Sequence, residues 1–183
     1  TIGASSTFTF SGDLIGGGLL GGSGTLTVSG VMNWTGGVMD GGGNTAIAPG
    51  GTLNMIGSDF KQLNARTLTN NGAVIWSDTG ELFGRQGLAV INNTGLFEIR
   101  NDRTLQTVAG TGVPVIFNND GILRKTASMG VTDFGEWVLN HTGTIDVQTG
   151  TLSIANSVEN PPGGIIQGAG ILQVPLLINN GAI

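Results

Sequence analysis

The chain has 183 residues, with seven basic and twelve acidic side chains, one histidine, no cysteine and a net charge of −5. No basic cluster exceeds Arg124-Lys125, which excludes a cationic track for nucleic acid, and the missing thiols exclude a disulfide framework or a thiolate metal site. Charged residues make up only 10% of the chain, apolar residues 39%, and Gly fills 34 positions; this is the profile of a folded chain whose Gly residues serve turns of positive φ.

The chain opens at Thr1, so it is expected to be a processed product or a fragment. No run approaches the roughly 18 to 20 apolar residues of a membrane span. Ser6-Thr7-Phe8-Thr9-Phe10 alternates with period two and reads as a strand with both aromatics on one face. Residues 1–16 are therefore assigned to an N-terminal strand that either caps the first coil or is exchanged with a neighbouring subunit. Residues 17–183 form the repeats, with the last copy incomplete.

Gly17-Gly18-Leu19-Leu20-Gly21-Gly22-Ser23-Gly24-Thr25-Leu26-Thr27-Val28 matches Gly163-Gly164-Ile165-Ile166-Gln167-Gly168-Ala169-Gly170-Ile171-Leu172-Gln173-Val174, and Gly-Thr-Leu strands start at Gly51 and Gly150. Three irregular stretches, 59–66, 78–86 and 101–111, read as long corners or loops. Asn160-Pro161-Pro162-Gly163 reads as a corner, since proline cannot donate to a ladder.

Aligned on Asn, the stretches from Asn92, Asn118 and Asn140 fall over one another. A copy from Asn70 joins them with a turn one residue shorter, and another begins at Asn179. Gly95, Gly121 and Gly143 occupy one turn column. Self-similarity at roughly 20 to 26 residues marks a stacked repeat. Because the segments are short, β-branched and alternating, with no helical periodicity, the fold predicted is all-β: a parallel β-solenoid of about seven to nine coils with Gly/Asn corners. At the usual strand spacing its core is roughly 35 to 45 Å long.

Alternation places Phe97, Leu123 and Ile145 inside, with Val74 and Ile183 in the same column, and Glu98, Arg124 and Asp146 outside as a ladder of alternating sign. Asn70, Asn92, Asn118, Asn140 and Asn179 are expected at strand ends, as a stacked amide ladder or as left-handed corners. Lys125 breaks the pattern by standing in the column of Ile99 and Val147, so either the strand ends there or the register shifts.

Candidate chemistry is sparse. His141 has no second histidine or cysteine to join it and reads as a solvated corner residue, so no metal site, cofactor or catalytic residue is assigned. Asp78, Glu81 and Arg85 share one irregular stretch, and Asp133 and Glu136 another; such carboxylates serve a polysaccharide-cleaving site only if they converge. The Thr positions form no flat two-column array for ice, and no calcium-binding nonapeptide repeats.

The Gly-Thr-Leu strands, the Asn-x-Gly corners and the Gly163 to Leu172 segment resemble the β-solenoid repeats of large secreted bacterial surface proteins of the autotransporter-passenger and filamentous-haemagglutinin type. The resemblance runs from about Gly17 onward and rests on motifs that encode coil geometry. It implies an exported, non-enzymatic chain at the cell surface, serving adhesion, surface coating or fibre formation, with surface glycans as possible partners. End-to-end self-association is expected through Thr7, Phe8, Thr9 and Phe10 at one end and Leu177, Ile178 and Ile183 at the other. The rival expectation is a carbohydrate-binding or carbohydrate-cleaving β-helix, which requires Trp34, Trp76 or Trp137 to line a groove.

Overall fold

The structure, a computed structural model, describes residues 1–10 and 18–183. The described residues form twenty-four strands of two to four residues each and no helix. Every pairing between strands is parallel. The chain winds as a β-solenoid of about eight turns, each contributing one strand to each of three faces.

Face one runs through the whole stack. Its eight strands are Thr7–Phe10, Val31–Trp34, Thr52–Met55, Ala73–Trp76, Leu96–Ile99, Ile122–Lys125, Thr144–Val147 and Ile165–Gln167. At about 4.8 Å per step they span roughly 34 Å. Face two holds Leu19–Leu20, Gly37–Met39, Lys61–Leu63, Leu82–Arg85 and Leu105–Val108, breaks, and resumes with Val131–Asp133, Thr151–Ser153 and Ile171–Gln173. Face three holds Thr25–Val28, Asn44–Ile47, Thr67–Asn70, Val90–Asn93, Ile116–Asn119 and Val138–His141, breaks, and resumes with Val158–Asn160 and Leu177–Asn179. The face-two break lies between the fifth and sixth coils, and the face-three break between the sixth and seventh.

The stretches 59–66, 78–86 and 101–111, expected as loops, each carry a strand of face two instead. Their apolar alternation is masked because Lys61 and Gly84 occupy inward positions. Gly84 leaves space that the Trp137 indole fills, since a Cβ there would meet Trp137 Cζ2 at 2.5 Å. The expected boundary at residues 16 and 17, the Gly17 start of the first repeat motif and the side chain of Phe10 lie outside the described residues.

Inward columns build the core. On face one, Met32, Leu53, Val74, Phe97, Leu123 and Ile145 stack in register and are fully buried. Phe97 meets Phe117 of face three edge-on at 5.1 Å, and Phe117 meets Phe134 at 5.6 Å, so aromatic contact joins the faces across the interior. Ile183 follows Ala182, which bridges to Ile165, and so extends this column past Ile166. It is nevertheless 76% exposed, because no coil stacks upon it.

The glycine column Gly72, Gly95, Gly121 and Gly143 corrects the reading of the turns. None of the four has positive φ. What each provides is the absence of a side chain: a Cβ on Gly95 would fall on the carbonyl oxygen of Gly72, one on Gly121 on that of Gly95, and one on Gly143 on that of Gly121. Those carbonyls accept from Leu96, Ile122 and Thr144 N–H at 2.8 to 2.9 Å, so the glycines let consecutive corners close to ladder distance. Other corners do need the left-handed region, among them Gly41 at φ 93° and Gly163 at φ 91°.

Gly121→Ala should lower stability by about 2 to 3 kcal/mol, since backbone must shift to admit the methyl group. Gly24→Ala, where nothing lies within 4 Å of the new atom and φ is not positive, should be neutral or slightly stabilising. Urea unfolding of the two variants beside the parent chain measures the difference.

Candidate functional site

Two amide ladders run along face three. The register separates residues that sequence alignment places in one column. Asn70 pairs with Asn93, not Asn92, and Asn93 with Asn119, which pairs with His141. This inner column is buried, and Asn160 with Asn179 continues it beyond the break. Asn92, Asn118 and Asn140 form a second, outward column. The turn after Asn70 is therefore as long as the others. The adjacent asparagines of Val90–Asn93 and Ile116–Asn119, and the Asn70-Asn71 pair, made a one-residue slip invisible to alignment, and in a strand such a slip exchanges the faces.

Hydrogen bonds in the two ladders point in opposite directions. In the inner one, Asn70 Nδ2 donates to Asn93 Oδ1 at 2.7 Å, and Asn93 Nδ2 to Asn119 Oδ1 at 2.8 Å. The second proton of each amide goes to the carbonyl of the residue that opens the face-one strand of the next coil, Leu96 at 2.8 Å and Ile122 at 3.1 Å. In the outer one, Asn118 Nδ2 donates back to Asn92 Oδ1 and Asn140 Nδ2 to Asn118 Oδ1, both at 2.8 Å. The inner ladder thus ties each coil to the start of the next face-one strand, and its buried amide groups are all hydrogen-bonded there.

His141 takes the next place in the inner ladder. It is 5% exposed and ends the strand Val138–His141, so it is a buried strand residue, not the solvated corner expected. Its Nδ1 lies 3.3 Å from Asn119 Nδ2. Burial holds its pKa below the ordinary histidine value, partly offset by the Asn160 amide beside it.

Three buried cations serve other corners. Arg66 spends all five N–H groups without a carboxylate: Nε on Thr45 Oγ1 at 2.8 Å, Nη1 on the carbonyls of Gly22 and Asp40, Nη2 on those of Gly24 and Asn44. It ties three successive coils together. Lys61, fully buried, donates to the carbonyls of Asp59 at 2.9 Å and Thr35 at 3.3 Å. Desolvation pulls its pKa down to about 8 against the opposing fields of Asp59 and Asp78.

Lys125 keeps the register, pairing with both Ile99 and Val147, and is fully buried. Neither a strand end nor a shift occurs. Its Nζ donates to the Asn101 carbonyl at 2.9 Å, Asp102 Oδ1 at 2.8 Å, Ser128 Oγ at 2.8 Å and Thr132 Oγ1 at 3.0 Å. These acceptors sit at the corner where face two breaks, so the ammonium joins coils whose ladder is interrupted there.

The remaining residues singled out in the sequence are scattered. Glu98, Arg124 and Asp146 stand in register, yet only Arg124 and Asp146 are bonded, at 2.8 Å; Glu98 pairs with Arg100 at 2.7 Å. Asp78 accepts from Gly57 N–H at 2.7 Å and Asp133 from Gly135 N–H at 3.0 Å, so each carboxylate braces a turn. Among the described residues no group of three or more His, Cys, Asp or Glu side chains is placed to hold a metal. Trp34, Trp76 and Trp137 are fully buried, which removes the aromatic platform that the carbohydrate-binding or carbohydrate-cleaving reading required. A groove of about 350 Å³ does open at the face-three break, lined by His141 and Glu159 among others.

The fold defines the class: a parallel β-solenoid of about eight turns, stitched at its corners by interior amides and cations. No family model, curated protein or solved structure matches the chain.

Lys125→Met should cost about 3 kcal/mol, the low end for breaking a buried ion pair, because Asp102 is 39% exposed and regains water. Arg124→Met leaves the Asp146 carboxylate, 4% exposed, with Gln148 as its side-chain donor, and should cost about 3 kcal/mol as well. Guanidinium unfolding compares them. Lys61 is deprotonated in the folded chain above about pH 8 but in the unfolded chain only near 10.5, so the unfolded state binds more protons between those values. Stability should therefore rise as pH climbs from about 8 toward 10.5. The chain has no tyrosine or cysteine to titrate in that window, and Lys61→Met should flatten the rise in isothermal unfolding.

Proposed function

We propose that this chain is a structural rod segment of an exported or cell-surface protein, without enzymatic activity, whose coils extend by stacking against another coil of the same geometry. The observation that carries the reading is the state of one core column at its two ends. Phe8 stands in register beside Met32 and is 42% exposed, and Ile183 is 76% exposed, whereas Met32 through Ile145 between them are fully buried. Ile178, 47% exposed on the last strand of face three, stands in register with the outward Glu159 and owes its exposure to its face rather than to the open end. Open strand edges beside exposed apolar ends match the inner surface of a further coil, supplied by the same polypeptide or by a second copy.

The exported, surface-bound setting draws its support from the resemblance of the Gly-Thr-Leu strands and Asn-x-Gly corners to secreted solenoids. The buried donors favour a mechanical role, since they stiffen corners without presenting reactive groups to solvent.

Sedimentation velocity and negative-stain microscopy across a concentration series test the stacking. Mass and rod length should grow with concentration, and Ile183→Asp should hold the chain at single-rod length. Single rods of unchanging length at every concentration would refute stacking between copies.

A further inference from the structure

The outward positions change character between the seventh coil and the eighth. Thr144, Thr151 and Glu159 face outward on faces one, two and three, and the residues stacked on them are Ile165, Ile171 and Ile178. Leu176, one residue before the inward Leu177, follows Ser157 in the same way. Each step exchanges a hydroxyl or a carboxylate for a branched apolar side chain, and all four of the new side chains are exposed. The inward Leu172 and Leu177 of the same coil pack against the core, so its interior is filled without them.

Charge stops at the same level. Residues 160–183 hold no Asp, Glu, Lys, Arg or His, so every charged side chain lies at or before Glu159. An exposed apolar surface of this kind marks an interaction site. An added coil would not cover it, because stacking pairs strand edges and inward columns and leaves outward side chains facing away from the axis. The densest part is on face three, where Leu176 and Ile178 stand two residues apart on one outward side. Beside them, at the corner between faces two and three, is a groove of about 260 Å³ walled by Ile154, Ala155, Val174 and Pro175, with no charged residue in its lining.

The chemistry of the surface selects its occupant. A bilayer fits poorly, since residues 160–183 hold no Trp, Tyr, Lys or Arg, the side chains that seat a protein at a lipid interface. A second copy fits well, because projecting side chains and a groove adjoin on one surface. Under a two-fold axis the Leu176 of each copy reaches the groove of the other, which is the self-complementarity that an isologous contact requires. Electrostatics favours the same pairing. Two chains of net charge −5 repel where their charged coils approach, and the charge-free coil lets them meet without bringing carboxylates together. Glu159, in register with Ile178, marks the limit of that contact.

We propose that Leu176, Ile178 and the adjoining corner groove form a self-association surface through which two copies of this chain pair side by side about a two-fold axis. The pairing does not rest on end-to-end stacking, since it uses outward side chains of face three and not the open end. A patch this small gives a weak dimer, with a Kd of roughly 10 to 100 µM.

The test uses the full chain carrying Ile183→Asp, which blocks growth from the open end, in sedimentation equilibrium from about 1 µM to about 1 mM. Mass should rise from that of one chain to that of two and stop there. Adding Leu176→Asp or Ile178→Asp should weaken the pairing at least tenfold, whereas Ile171→Asp, outward on face two of the same coil, should leave it unchanged. Ile178→Lys alone should fail as Ile178→Asp does. An equimolar mixture of the two should pair at least tenfold more tightly than either by itself, because a two-fold contact sets the patch against its own copy; a variant that had merely misfolded shows no such rescue. Single-chain mass at every concentration would overturn the proposal. So would dimers that the face-three variants leave unchanged, dimers that Ile171→Asp breaks as readily, or no recovery on mixing. Flotation of the chain with phosphatidylcholine vesicles in place of pairing would overturn it in favour of lipid.

Discussion

The constraint on which the rest of this molecule depends is that each turn of the solenoid must meet the next at one ladder spacing on every face at once. Flat strands satisfy this through backbone bonds. Corners do not, because there the chain leaves the ladder and turns carbonyl oxygens inward, where water is absent and an unpaired acceptor costs about 1 to 3 kcal/mol. Nearly every unusual feature follows from that difficulty. The glycines at 72, 95, 121 and 143 let corner backbones close on one another. Arg66, Lys61 and Lys125 supply the protons that corner carbonyls need.

Polar residues in this core therefore play a part different from that of buried polar groups in a globular domain. A lysine with no exposed surface would ordinarily call for a catalytic explanation. Lys125 and Lys61 instead reach carbonyl and hydroxyl oxygens at corners, and Arg66 does the same without a carboxylate.

The repeat was legible because coil geometry writes itself in a short alphabet. Asn-x-Gly corners, alternating apolar positions and a period near that of one coil were enough to read the parallel β-solenoid and the stacking of Val74, Phe97, Leu123 and Ile145. Face two was not legible. Its strands are as short as two residues, and Lys61 and Gly84 stand at positions where an alternating pattern requires an apolar side chain. Irregular composition there reflects the corner donors and the Trp137 indole that the interior must accommodate, not departure from the coil.

The sequence by itself determined the class of fold, the number of coils to within one, and the inward columns of face one, since strand alternation and repeat length are local properties. Tertiary structure alone decided the register of the asparagines, because adjacent Asn residues make two alignments equal in sequence and only the stacking of neighbouring coils separates the inner face from the outer. It also decided the burial of Lys125 and His141, which reach partners 22 to 24 positions back along the chain, Lys125 meeting Ser128 and Thr132 besides. Partners at that distance are brought together by the winding of the coil, and no local pattern reports them.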